Sequence, residues 1–281
     1  MTSLEESYAH CRAVAKSRAK NFYYSFVLLE ADQKNAMCAV YAFMRYCDDL
    51  SDEPGATRSA MDRWLNALDE ALAGRPDSNP AWPAFLDSVQ RYSIPHRYFY
   101  EMIEGVASDL EPRTIQTFEE LYGYCYRVAS VVGLTTIHIF GFTSSEALPL
   151  AEKCGIAFQL TNILRDVRED VELGRVYLPA EDLERFGVRP EDLGAARKTE
   201  AFGELMEFEI ARARRYYRES AGLLGLIEPK SRASLWALIA IYSGLLDRIA
   251  QSHYDVLARR ISLTTAEKVW IVLRASAGWI G

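Results

Sequence analysis

Gln159-Leu160-Thr161-Asn162-Ile163-Leu164-Arg165-Asp166-Val167-Arg168-Glu169-Asp170 carries oxygen-bearing side chains on a helical period inside an otherwise apolar segment. Asn162, Asp166 and Asp170 recur every fourth residue, and Gln159 lies three before Asn162. On an α-helix they form one stripe, a turn apart from each other. Ile156, Ala157, Phe158, Leu160, Ile163 and Leu164 place the same helix in a core, so the stripe lines either an internal space or a surface.

A second acidic face stands upstream, in Asp48-Asp49-Leu50-Ser51-Asp52-Glu53. Asp48 and Asp52 are four apart and share a helix face. The apolar run Ala36-Met37-Cys38-Ala39-Val40-Tyr41-Ala42-Phe43-Met44 precedes them, as in a buried helix that carries its acids into a cleft. Each face alone also reads as a solvated surface. The first would then be an acidic helix end before the turn at Pro54-Gly55, and the second a mixed-charge helix in which Arg165, Arg168 and Glu169 pair. Acids near a helix C-terminus oppose its dipole, however, and like charges four apart repel, so something must compensate. Mg²⁺ is the simplest candidate, because it takes oxygen ligands and completes its shell with water and phosphate oxygens. Two such faces on core-forming helices favour a metal cleft over two unrelated charged surfaces.

The rest of the chain is helical in period, with few alternating strand patterns. Helices are predicted over 3–18, 31–52, 57–73, 81–91, 96–109, 117–140, 145–172, 197–227, 230–257 and 264–278. Gly74-Arg75-Pro76-Asp77-Ser78-Asn79-Pro80 and Gly141-Phe142-Thr143-Ser144 break the pattern, and Pro229 opens a new helix. Residues 173–193 read as a lid or as short helices joined by turns. No linker divides the 281 residues, so one all-α domain over 1–281 is expected.

Composition removes several function classes. A formal net charge of -7 argues against nucleic acid. Five widely spaced cysteines without a C-x-x-C pair suggest neither a zinc site nor a disulfide framework, and point to reduced, packed thiols in a cytoplasmic protein. The N-terminus lacks the pattern of a signal peptide. The apolar run from Leu235 to Leu246 falls short of the ~20 residues that span a bilayer, so no transmembrane segment is expected. The Trp-containing C-terminal stretch leaves room for peripheral membrane contact.

Several motifs in order resemble the squalene/phytoene synthase family, which joins two prenyl diphosphates head to head. They are Asn21-Phe22-Tyr23-Tyr24-Ser25-Phe26, Tyr41-Ala42-Phe43-Met44-Arg45-Tyr46-Cys47-Asp48-Asp49-Leu50-Ser51-Asp52, Tyr124-Cys125-Tyr126-Arg127-Val128-Ala129-Ser130-Val131-Val132-Gly133, the Gln159–Asp170 stripe and Gly174-Arg175-Val176-Tyr177-Leu178-Pro179. The resemblance runs from about Cys11 to Ala275. It implies a single isoprenoid-synthase-type helical domain around a central cavity. It also implies two or three Mg²⁺ ions on Asp48, Asp52, Asn162, Asp166 and Asp170, with Gln159 beside them. Arg45 and Arg165 match arginines near the diphosphates, Tyr41, Tyr124 and Tyr242 match cavity tyrosines, and Phe22 and Phe26 resemble the wall along which prenyl tails lie. Arg259 or Arg260 resembles a further basic contact. On spacing alone the aromatics are equally well core residues, and the arginines pair with neighbouring acids.

The expected substrates are two farnesyl diphosphates and the expected product is presqualene diphosphate. Tyr23-Tyr24-Ser25-Phe26 and Ser130, where many phytoene synthases have glycine, look more like bacterial presqualene diphosphate synthases of hopanoid pathways. Asn21 departs from the Ser or Thr of many relatives, which puts its diphosphate contact in doubt. The rival readings are phytoene synthesis from two geranylgeranyl diphosphates, complete NADPH-dependent reduction to squalene, a terpene cyclase, and a silent lipid-binding helical protein. NADPH is not favoured, since no G-x-G-x-x-G fingerprint occurs.

Overall fold

The computed structural model describes residues 2–52, 57–110, 114–195 and 198–279, without the side chains of Lys20, Asn21 and Asp52. Fifteen α-helices follow in chain order: α1 (Leu4–Arg18), α2 (Lys20–Phe26), α3 (Ala31–Asp52), α4 (Arg58–Leu72), α5 (Trp82–Arg91), α6 (Arg97–Ala107), α7 (Phe118–Cys125), α8 (Val131–Phe140), α9 (Ala147–Glu172), α10 (Ala180–Phe186), α11 (Pro190–Gly194), α12 (Glu200–Glu219), α13 (Leu223–Leu226), α14 (Pro229–Gln251) and α15 (Thr265–Ser276). Among the described residues there is no strand, only isolated bridges at Thr114–Val176 and Phe142–Ile227. The all-α expectation holds.

Local chemistry sets many of the helix starts. Ser3 and Thr264 close capping boxes with Glu6 and Glu267, and Thr57, Thr117 and Thr199 accept backbone N–H bonds at the starts of α4, α7 and α12. Pro229 begins α14 at the position where a missing N–H does least harm.

α9 is the central element. Ala151, Cys154, Gly155, Ile156, Ala157, Leu160, Thr161, Ile163, Leu164 and Val167 are all buried along it. It packs on α7, α8, α11, α12, α13 and α14. One buried cluster lies on the N-terminal side, around α1, α3, α5, α6 and α8. Its centre is Phe43, stacked on Phe85 at 4.5 Å and edge-on to Phe99 at 5.3 Å, with Trp64 and Trp82 stacked beside it at 4.9 Å. Truncating Phe43 would remove about 3–5 kcal/mol. A second cluster joins α7, the later half of α9, α10, α12 and the end of α14. Gln33 ties α3, α8 and α14 together, donating to the Ile139 carbonyl and to Ser231, each at 2.9 Å. All five cysteines are buried and free.

The structure departs from the predicted elements in four places. Residues 20–26 form α2, which the aromatic-rich pattern of that segment concealed. The predicted helix 117–140 is one rod broken by a π-helical turn, Tyr126–Ser130, where the Val131 N–H reaches back to the Tyr126 carbonyl. The predicted helix 197–227 divides after Glu219, and 230–257 ends at Gln251, with His253 and Tyr254 at positive φ of 55° and 63°. Residues 173–193 are turns with α10 and α11, as one of the two readings expected. α14 as a whole is long and apolar enough to cross a membrane by length and composition. Half of its apolar window is buried within the protein, against α2, α9, α12, α13 and α15.

Candidate active site

α3 and α9 face each other across a cavity of about 390 Å³. α3 contributes Tyr41 and Asp48, and α9 contributes Gln159, Asn162, Asp166 and Asp170. α2, α14 and the rod made by α7 and α8 supply an apolar wall that includes Phe22, Phe26, Val128, Val132, Leu238 and Tyr242. The two acidic faces therefore open onto the polar end of one space. Of the expected metal ligands, only Asp52 has a side chain outside the described residues. The Asn21 side chain is likewise outside them.

The cavity is shaped by close helix approaches. A Cβ on Gly155 of α9 would lie within 3.0 Å of the backbone of Ala129 and Ser130 in the π-helical turn. On its other side, a Cβ on Gly105 of α6 would lie 2.7 Å from the Arg127 Cβ. The turn is thus clasped between two glycines, and Ser130 is buried with its hydroxyl donating to the Glu152 carbonyl at 2.8 Å. Ala129 lines the cavity and Ser130 does not. Any influence of Ser130 on cavity shape acts through the packing of α9.

Charge is distributed unevenly over the acids. Asp49 takes Arg45 and, at 3.6 Å, Arg18, while its neighbour Asp48 lines the cavity. Burial pulls the Arg45 guanidinium down, but the bond to Asp49 and the charges of Asp49 and Asp48 hold it above its ordinary value. Arg165 donates to Asp166, with Nε at 2.7 Å from Oδ1. Arg260 reaches the same carboxylate at 3.0 Å and Glu169 at 3.4 Å. Burial raises Asp166, yet these arginines outweigh it and keep its carboxyl below the usual range. Asp170 is pushed up to about 7, first by burial and then by the charge of Asp166, against a smaller downward pull from Arg175.

Arg260 can reach α9 because α14 stops at Gln251 and the chain turns back. Arg168 anchors that return by donating to the Ala258 carbonyl at 3.2 Å. Arg259 points the other way: it pairs with Asp255 at 3.3 Å and is 70 % exposed. Of the two arginines that the sequence left open, the structure brings Arg260 to the stripe. Arg45, Arg165 and Arg260 each pair with an acid, as the plain ion-pair reading expected, although Arg165 and Arg260 do so on the cavity's own Asp166.

The tyrosines differ in setting. Tyr242 stacks on Phe158 at 4.4 Å and meets Phe22 edge-on at 5.9 Å. Burial, opposed by the charge of Arg165, pushes it up to about 12. Tyr41 is also raised to about 12, mainly by burial. Tyr124 donates to Asp109 Oδ2 at 2.9 Å, and Tyr177, stacked on it at 4.9 Å, donates to Oδ1 at 3.0 Å. Burial first and then the Asp109 charge carry Tyr124 well above its ordinary value. Asp109, Arg175 and Tyr177 all line the cavity. Asp109 escaped the sequence reading because a lone acid has no periodicity. The available signal was an acid ending the apolar run Met102–Ala107, the same logic that singled out Asp48. The 3₁₀ turn Ser108–Leu110 places it, and the Thr114–Val176 bridge with the Ala180 N–H bond to Ile115 at 2.9 Å holds the Arg175–Tyr177 segment nearby.

Among the described residues no three His, Cys, Asp or Glu side chains form a ready-made metal cage. The cavity donors are nevertheless all hard oxygens, on Asp48, Gln159, Asn162, Asp166 and Asp170, with room for water and phosphate. Mg²⁺ has that preference, since it seldom occupies an all-protein cage.

Comparison with known proteins agrees with this geometry. A sequence profile described as squalene/phytoene synthase matches residues 15–267. The 15-cis-phytoene synthase of Synechocystis sp. is 37% identical over 95% of this chain and 83% of its own. The chloroplastic phytoene synthase of Daucus carota is 36% identical over 95% of this chain and 69% of its own. A crystal structure of a dehydrosqualene synthase superimposes with a TM-score of 0.92 at 29% identity, covering 98% of this chain and 97% of that one. The squalene synthase HpnC from Alicyclobacillus acidocaldarius gives 0.83 at 30% identity, covering 89% and 95%. The chain belongs to the squalene/phytoene synthase family, prenyltransferases that condense two prenyl diphosphates head to head.

Proposed function

We propose that this chain condenses two farnesyl diphosphates into presqualene diphosphate. The observation that carries the reading is the opposition of Asp48 to the Gln159–Asp170 stripe across a cavity whose other walls are apolar and aromatic. One end of such a space suits diphosphates and the other suits prenyl tails.

Asp48, Asn162, Asp166 and Asp170, with Gln159 beside them, are the residues that would hold Mg²⁺. The raised Asp170 reflects concentrated negative charge of the kind a divalent cation relieves. When bound, Mg²⁺ would supply Lewis-acid charge to the departing pyrophosphate. Arg165 and Arg260 sit on Asp166, where a diphosphate can take over their hydrogen bonds as its own charge grows. The donor substrate becomes an allylic cation, the double bond of the second attacks it, and loss of one proton closes the cyclopropane. Phe22, Tyr41, Phe158 and Tyr242 offer ring faces to a cation, and the apolar wall keeps water from quenching it. No side-chain nucleophile is required.

Tail length is supported from two sides. Tyr23-Tyr24-Ser25-Phe26 and Ser130 favour the shorter tail, and the dehydrosqualene and squalene synthase folds belong to makers of thirty-carbon products. The phytoene synthase relatives favour geranylgeranyl diphosphate, and phytoene as the end product is the second reading.

The test is product analysis after incubating the purified chain with Mg²⁺ and either diphosphate, with and without NADPH. Presqualene diphosphate from farnesyl diphosphate without reductant is the expected result. Phytoene from the longer substrate alone would replace the first reading by the second, and squalene formed only with NADPH would extend the reaction by a reduction. Absence of product from both substrates would refute catalysis. Chelation of the metal should abolish turnover, and unchanged turnover in EDTA would remove Mg²⁺ from the reading.

A further inference from the structure

α15 turns an apolar face away from the protein. Within it only Ala275 is buried, with Ile271 packed against the core. Val269, Trp270 and Leu273 are 42%, 57% and 54% exposed, and Trp279 just beyond the helix is 63% exposed. A helix turns about 100° per residue, so Val269, Leu273 and Trp270 fall within roughly one such step around the axis. Large apolar side chains grouped in this way differ from the scattered exposed leucines that any soluble surface carries.

The charges around this face have one sign. Glu267, the single acid of α15, is held by Arg248 and by its own capping box. Lys268 lies over the Tyr24 ring at 5.7 Å and Arg274 over the Trp236 ring at 5.4 Å, which fastens α15 to α2 and α14 with a cation on either flank. The whole chain is acidic, but residues 256–279 hold Arg259, Arg260, Lys268 and Arg274 against Glu267 alone. Tryptophan with flanking basic residues on one helix face suits the boundary between lipid headgroups and acyl chains.

Position adds a reason for such a contact. α2 and α14, on which α15 rests, supply Phe22, Phe26, Leu235, Leu238 and Tyr242 of the cavity wall. We propose that the outward face of α15, together with Trp279, docks the protein on an anionic lipid bilayer, directly behind the wall along which the prenyl tails lie. This rests in part on the prenyl-diphosphate reading, because a product with two such tails has to leave into lipid rather than water.

The test uses the full chain without substrate, sedimented with vesicles of phosphatidylcholine alone or of phosphatidylcholine and phosphatidylglycerol. The wild type should bind the anionic vesicles, and high salt should weaken binding. Trp270→Ser/Leu273→Ser should lower the affinity by at least about tenfold, and Lys268→Glu/Arg274→Glu should remove the preference for phosphatidylglycerol. Circular dichroism checks that the variants fold, and quenching of wild-type tryptophan fluorescence by brominated acyl chains tests insertion without any variant. Wild type that stays in the supernatant with both vesicles and is not quenched would overturn the proposal. So would a solution dimer that the Trp270/Leu273 variant dissociates, since the face would then be a contact between copies. Turnover in detergent is read separately: its loss in the wild type would count against the catalytic reading and leave the docking result standing.

Discussion

Gly155 and Ser130 meet so closely that a Cβ on the glycine would sit 2.5 Å from the serine Cα. That atom is backbone, so no side-chain rotation can relieve the contact. Gly155 also lies one turn before Gln159 on α9, and displacing it displaces the polar stripe. Gly155→Ala is therefore expected to destabilise by about 1–3 kcal/mol and to lower turnover as well. Thermal unfolding would show a Tm loss of about 2–4 °C per kcal/mol. Gly203 on α12 has nothing within 4 Å of its Cβ position, so Gly203→Ala should be neutral or stabilising by up to about 1 kcal/mol. Equal effects at the two glycines would refute the close-contact argument.

Neighbouring arginines should behave differently. Arg260 reaches Asp166 and Glu169, whereas Arg259 holds only the exposed Asp255. Arg260→Ala is expected to raise the KM for the prenyl diphosphate by about 10–100-fold, the range of a lost charge-assisted hydrogen bond. Arg259→Ala should change it by less than about fivefold, as for an exposed ion pair. Steady-state kinetics on both variants decides, and a larger effect at Arg259 would reverse the assignment.

Asp109 accepts from both Tyr124 and Tyr177, and its carboxylate is what orders those two rings. Asp109→Asn keeps one acceptor oxygen but loses the charge. We expect kcat to fall by about tenfold or more, with Tyr124→Phe falling in the same sense and the double variant losing less than the product of the two. Independent, multiplicative losses would show that the two residues do not act as a unit.

Far from the cavity, Glu209 is 1% exposed and shares Arg212 with Asp182, Arg212 Nη1 lying 2.7 Å from each. Arg212 also stacks over Phe118 and Phe208, and Arg185 covers Phe208 from outside. Burial, only partly offset by Arg212 and added to by Asp182, pushes Glu209 up to about 8. A raised folded value means that the native state holds a proton the unfolded chain releases. The contribution to stability is full below about 4.5 and is lost as pH rises through about 8, by at most ~1.4 kcal/mol per pH unit. Glu209→Gln removes this titration. Its Tm relative to wild type should rise between pH 6 and pH 9, and a constant difference over that range would count against a protonated Glu209.

How much of this was readable beforehand depended on whether the signal was periodic. Asn162, Asp166 and Asp170 declared themselves because a spacing of four is helix geometry written in sequence, and Asp48 because an apolar helix led into it. α2 was missed since Lys20–Phe26 is short and aromatic at nearly every position, which leaves no face to detect. The π-helical turn was missed because its wider winding leaves no mark in residue types. Asp109 and Arg260 reach the cavity through a 3₁₀ turn and a chain reversal after α14, and such returns depend on contacts between segments distant in the chain. For Arg45, the pairing with Asp49 was as readable as any diphosphate role, and the structure shows that pairing.

The winding of Tyr126–Ser130 has one more consequence. Tyr124, Val128, Val132 and Thr136 all line the cavity, each four residues after the last. In a uniform α-helix, steps of four overshoot a full turn by about 40° each, and three of them would swing Thr136 about 120° away from Tyr124. The wide turn takes up part of this drift and keeps both ends of the rod in phase. Excising any one of its five residues would let the helix rewind and rotate everything downstream by about 100°. What this segment must conserve is therefore a count: substitutions inside it alter a wall, whereas a one-residue deletion would turn the wall around.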